Sequence, residues 1–167
     1  MIALAVALAA AAPQPRLVEC RMMECSWSRP VSNVAIRSTP IGTLRKVVAI
    51  DGASVHRDDY PSRYDNSIAI RWRKPAAVYL LCSRSRPALA FRSGKRWTAH
   101  ALDLFNLAGY DRASAVAYLQ GCHGVDYDRS DIDRVMKGLG YNSGTRSEQV
   151  QIARPEQLFD LPARERN

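Results

Sequence analysis

This sequence predicts an α+β fold, stabilised by disulfides: an N-terminal antiparallel sheet of about five or six short strands, followed by two to four helices packed on one face. Three observations predict it. Between Val31 and Arg92, short β-like runs alternate with turn residues. From Ala99 onward the apolar spacing becomes helical, and strands first with helices afterward is the order of an α+β domain. Two of the four cysteines, Cys82 and Cys122, fall one in each half, placed to tie sheet to helix.

The first twelve residues, Met1 to Ala12, are all apolar and end at Pro13-Gln14-Pro15. An apolar stretch with a small-residue exit reads as a secretory signal peptide cleaved between Ala9 and Ala12, although the amino terminus supplies its only positive charge. The run falls short of the roughly 20 residues of a transmembrane helix, so the expected mature protein has no membrane span. Leu17-Val18-Glu19 before Cys20 lacks the small uncharged residues of a lipoprotein cleavage site. Residues 13–30 read as an irregular arm holding Cys20, Cys25 and Trp27. Residues 31–162 form the single α+β domain, and residues 163–167 a disordered tail.

Val31 to Arg37 is the first strand, stopped by Pro40-Ile41-Gly42. Thr43 to Ile50 follows, and Asp51-Gly52 reads as a tight turn into Ala53 to Val55. Ile68, Ile70 and Trp72 alternate with Ala69, Arg71 and Arg73, the period of a strand with one buried face. Ala76 to Cys82 is nearly all apolar and reads as a central strand. Ser83 to Pro87 turns the chain, Ala88 to Arg92 returns, and Ser93-Gly94 turns it again.

Leu102, Phe105 and their neighbours give Ala99 to Ala108 helical spacing, with Gly109 as a stop. Asp111 caps a second helix that places Ala115, Tyr118, Leu119 and Cys122 on one face and ends at Gly124. Ser130 with Asp133 opens a third helix running to about Leu139, stopped by Gly140. Pro155 begins a last short helix through Phe159.

The net charge of +8 is concentrated. Residues 63–96 hold nine basic side chains against Asp65 alone, whereas the flanking segments are close to neutral. A field of one sign favours an anionic partner and speeds its encounter; the alternative is a solvated face that only aids solubility. The expected ligand-binding residues are Arg71, Arg73, Lys74, Arg84, Arg86, Arg92, Lys95, Arg96 and Trp97. Tryptophans interleave the cations, and a ring beside arginine stacks on a sugar, base or headgroup while the charges hold phosphate or carboxylate. Trp72 is expected on the buried face of its strand and Trp97 at the surface.

Four cysteines allow three pairings; the favoured one is Cys20–Cys25 with Cys82–Cys122. One C-x4-C and two isolated cysteines are a poor zinc pattern, and no C-x-x-C supports redox chemistry. Cys122-His123 has the end of a haem-attachment motif but carries Leu119 where the first cysteine belongs. Asp126, Asp128, Asp131 and Asp133 fail the EF-hand test, because Asp131 and Lys137 stand where glycine and glutamate are required. No cofactor and no metal are implied. The weak catalytic candidates are His56, Asp58, Asp59 and His100, with His100 expected at a helix start near the surface.

These readings lead to an exported protein, periplasmic or secreted, that acts as a binding or accessory component of a bacterial-type cell envelope. Its expected partner is an anionic envelope component or an acidic protein. An envelope hydrolase is the alternative, and a nucleic-acid-binding module is the second.

Overall fold

β-Branched and aromatic runs punctuated by turn residues build eight strands, every pairing of them antiparallel. The computed structural model describes residues 13–107, 109, 111–125, 132–142 and 147–162. The strands are β1 (Arg16–Arg21), β2 (Glu24–Thr39), β3 (Gly42–Val55), β4 (Arg71–Trp72), β5 (Ala76–Cys82), β6 (Ala88–Ser93), β7 (Arg96–Ala101) and β8 (Glu148–Ile152). Their order in the sheet is β1-β2-β3-β5-β6-β7-β8, with β4 beside β3. Helices α1 (Asp111–His123) and α2 (Ile132–Gly138) precede β8, and a 3₁₀ turn, Pro155–Asp160, follows it.

The expected fold class is overturned. The molecule is mostly one large sheet of eight strands, and among the described residues three short helices make up 18%. The strands are not all short, since β2 has 16 residues and β3 has 14. The helices do not all lie on one face. On one side Val47, Leu80 and Leu89 pack with Ala115, Tyr118 and Leu119 of α1 and Met136 of α2. On the other, Leu44, Leu81, Ala90 and Ala99 pack beneath Leu158 of the 3₁₀ turn. Each fully buried leucine contributes roughly 1.5–3 kcal/mol.

Particular residues explain the corrections. The supposed arm, residues 13–30, is β1 and the start of β2, with Cys20 directly opposite Cys25. Its turn is hidden because Met22 (φ 47°) and Met23 (φ 67°) fill the two left-handed positions that Asn-Gly usually marks. Pro30 does not break β2: the pairing with β1 ends at Ser28, so Pro30 sits where the missing N–H interrupts no ladder to β1. Asp51-Gly52 is no turn but the interior of β3. A Cβ on Gly52 would meet Ile70 Cγ2 at 2.5 Å and Trp72 Cε3 at 2.8 Å, so the glycine answers a close approach. The helix expected from Ala99 is β7, because Ala99, His100 and Ala101 pair with Val150, Gln149 and Glu148 of β8.

The upper half of β3 pairs with β4 and its lower half with β5. β1 and β4 therefore flank the part of the β2–β3 ribbon that lies beyond the β5 pairing. Helix α1 matches its expectation: Ala115, Val116, Tyr118 and Leu119 are buried, and Gly124 (φ 67°) ends it by donating its N–H to Gln120 O. The signal peptide, the acidic residues 126–131 and the tail 163–167 lie outside the described residues.

Candidate functional site: a cationic aromatic rim beside a groove

The two disulfides join Cys20 to Cys25 and Cys82 to Cys122, the pairs favoured from the sequence. No cysteine is free, which removes thiolate chemistry from the site. The second bridge runs beside a polar chain linking the same two elements. Tyr118 Oη accepts the Ser83 N–H (3.0 Å), donates to Ser83 O (3.1 Å) and meets Tyr141 Oη (3.0 Å). Tyr141 Oη in turn contacts His123 Nε2 at 2.6 Å. Burial pushes the Tyr118 and Tyr141 phenols up. Burial, then the Arg84 charge, pulls His123 down toward its neutral form. Cys122-His123 is thus half disulfide and half hydrogen-bond anchor, a structural use of the residues that mimicked a haem motif.

The catalytic candidates are not brought together. His56 Nε2 contacts Ser54 Oγ (2.8 Å), which accepts the Trp27 indole N–H (2.7 Å), while Asp58 and Asp59 stand exposed in the next loop. His100 is not near the surface; it lies 1% exposed in β7, under α1. Its Nε2 lies 2.9 Å from Asp111 Oδ1 and 3.0 Å from Ser147 Oγ, and Ser147 donates to Asp111 Oδ2 (3.1 Å). Burial lowers the His100 pKa and Asp111 opposes the shift without reversing it. A serine–histidine–aspartate relay needs the serine on one ring nitrogen and the aspartate on the other. Here both meet Nε2, so the cluster pins sheet to helix. Among the described residues no group of three or more His, Cys, Asp or Glu is placed to hold a metal ion.

The basic segment separates into three places. Arg71, Arg73 and Lys74 are exposed at and just after β4, where the Arg73 N–H donates to Asp51 O. Trp72 is half-buried, with the Arg29 guanidinium 5.0 Å from its ring centre. Arg84 and Arg86 lie in the β5–β6 turn, Arg86 bonded to Leu161 O (3.1 Å). Arg92, Lys95, Arg96 and Trp97 stand around the β6–β7 turn.

The last group meets an aromatic ring of another strand, that of Tyr79. Strand alternation puts Lys46, Tyr79, Arg92 and Trp97 on the same face as the Leu44–Leu81 core, beyond the part that the 3₁₀ turn covers. Lys46 is directly opposite Tyr79, and Arg92 opposite Trp97. The Tyr79 and Trp97 rings meet edge to face at 5.3 Å, and Arg92 lies 5.9 Å from the Trp97 ring centre. Lys46 and Tyr79 escape sequence reading. Tyr79 hides in an all-apolar strand, and Lys46 joins this set only through the β3–β5 register.

A groove of about 850 Å³ runs beside α1, on the face of the sheet opposite the rim side chains. Its lining includes the apolar floor Val47, Val78, Leu89 and Phe91, and Ala113, Ala117 and Gly121 of α1. That volume lies within the range of small-molecule sites. Comparison with protein-family models, curated proteins and solved structures gives no match.

Proposed function

We propose that this chain is an exported binding protein of the cell envelope, engaging an anionic partner through the rim of Lys46, Tyr79, Arg92 and Trp97. The observation that carries this reading is the rim itself: two cations opposite two aromatic rings on an uncovered part of the sheet. Such a surface holds phosphate or carboxylate with its charges and packs a ring or chain against its aromatics. Lys95 and Arg96 extend the positive field from the adjoining turn. The export reading draws on the two disulfides, which persist in oxidising compartments, and on the apolar residues 1–12. No helix among the described residues is long and apolar enough to cross a membrane.

The hydrolase alternative loses its support, since His56, Asp58, Asp59 and His100 occupy separate places, His100 in the core. The nucleic-acid alternative shares the rim's chemistry and differs in compartment. Binding of an acidic polysaccharide and of single-stranded DNA, followed by tryptophan fluorescence over a salt series, tests both. We expect saturable polysaccharide binding that weakens with salt and is lost in Lys46→Glu/Arg92→Glu. Binding unchanged in that variant overturns the reading, and a strong preference for DNA replaces it with the nucleic-acid one.

A further inference from the structure

We propose that the open edge of β2 accepts an extended, acidic polypeptide segment as an added strand. This goes beyond the rim reading, since the partner here is a polypeptide held in large part by its backbone. β1 covers β2 only over residues 24–28, so among the described residues no strand pairs with the outer side of residues 29–39. Alternate N–H and C=O groups of an edge strand point outward, where another chain can pair with them. The side chains suit such pairing. Residues 31–38 are all exposed, with Val31, Val34 and Ile36 at 55%, 54% and 48%, and no charge interrupts residues 30–36. Register shifts at Pro30/Ser32 and Ala35/Arg37 twist the strand but leave residues 32–35 regularly paired with β3.

Charge selects the occupant. Residues 29–50 hold Arg29, Arg37, Arg45 and Lys46 and no carboxylate. The register spreads these cations along the edge: Arg29 and Arg37 near its ends, Lys46 opposite Val34 on one face, Arg45 opposite Ala35 on the other. The nearest acid along the two strands, Asp51, lies opposite Ser28, where β1 covers the edge. Glu156 and Asp160 line a cavity with Arg37, whose guanidinium lies over the Phe159 ring, and form no ion pair with it among the described residues. A second copy of β2 is a poor match. Paired antiparallel about the centre of residues 31–36, or parallel in register, it would bring Arg29 and Arg37 close to like charges. An acidic strand meets cations on both faces and at both ends, so charge sets the partner and the main-chain ladder sets its conformation.

The experiment is fluorescence anisotropy of the disulfide-intact protein with a labelled, end-blocked peptide, Val-Thr-Val-Thr-Val flanked by two glutamates on each side. We expect saturable binding, weaker by about tenfold or more when lysine replaces glutamate or when octaglutamate is the probe. Methylating alternate central amides leaves one edge of the peptide free and should spare binding, whereas methylating all of them should abolish it. Arg37→Glu should weaken the peptide by about tenfold or more and leave polysaccharide binding intact, because Arg37 lies outside the rim. If Arg37→Glu fails to fold by circular dichroism, Ile36→Glu, at an exposed position of the same edge, replaces it. Equal binding of octaglutamate or of the fully methylated peptide overturns the proposal, as does affinity unaltered by the edge variant. A dimer that Ile36→Glu dissociates would place a second copy on the edge and overturn it too. Polysaccharide binding without peptide binding overturns it and leaves the rim reading standing; absence of both overturns both.

Discussion

Trp97 and His100 lie three residues apart on β7 and face opposite sides of the sheet, and the polar groups around them differ in kind. Around His100, the Asp111 carboxylate and the Ser147 hydroxyl are engaged with one another and with the imidazole inside the protein. Nearby, Tyr118, Tyr141 and His123 form a second closed set beside the Cys82–Cys122 bridge. Around Trp97, Arg92 is exposed and Lys46 half-buried, each directly opposite an aromatic residue on the neighbouring strand. Residue type alone would have ranked these regions the other way, because histidine, serine and aspartate together look catalytic. Burial and the shared ring nitrogen make the helix-side cluster an anchor between sheet and helix, while the exposed charge on the other face supports the recognition proposed for it.

Removing the bridge beneath α1 should have the largest effect on this contrast. Cys82→Ala/Cys122→Ala opens a loop 40 residues long, and the chain-entropy model assigns about 4 kcal/mol to its closure. Cys20→Ala/Cys25→Ala opens a separation of only 5, for which the same model gives about 2 kcal/mol. Denaturant unfolding of the two variants checks the order. Equal losses would show that the helix-side anchor is no more important than the ribbon's.

A smaller loss should follow Asp111→Ala, which leaves buried His100 and half-buried Ser147 without their carboxylate partner. Losing one partner of a buried polar group costs roughly 1–3 kcal/mol. A variant as stable as the parent would mean that the cluster does not hold α1 to the sheet.

The helix side was more legible in the sequence than the rim, and the reason is range. Asp111, the Ala115–Leu119 face and Gly124 signal α1 within thirteen residues, and the helix appears where they place it. Cys82 and Cys122 read as strand and helix residues by local pattern, which sufficed to pair them. The rim depends on the register of β3 against β5 and of β6 against β7, and no local pattern states register. β8 illustrates the same limit. Gln149 and Gln151 alternate with Val150 and Ile152, a strand signal in five residues, but its partner β7 lies about fifty residues earlier and had been claimed by helical spacing. The ribbon was lost for a different reason, the methionine pair in its turn.

Acidification probes the closed clusters without mutation. His100 and His123 both have pKa values held below the ordinary value of 6.5, first by burial. For a histidine depressed in the folded state, the stabilising contribution is present above the unfolded value and is lost as pH falls through the folded one. Thermal stability should therefore decline from pH 7 toward pH 5, and the decline should shrink in His123→Gln. A profile flat across that window would mean that neither ring is kept neutral by the fold.

The smallest effect on stability belongs to the rim, and it is the sharpest test of the contrast. Arg92 is exposed and Lys46 half-buried, and each projects from a strand whose ladder does not depend on its side chain. Surface substitutions of this kind usually stay within about 0.5 kcal/mol. Lys46→Glu/Arg92→Glu should unfold close to the parent midpoint while its retention on an anionic column drops. Loss of both together would make the rim part of the scaffold, with Arg92 needed to pack Trp97. Loss of retention alone separates the surface that meets a partner from the interior that holds the sheet.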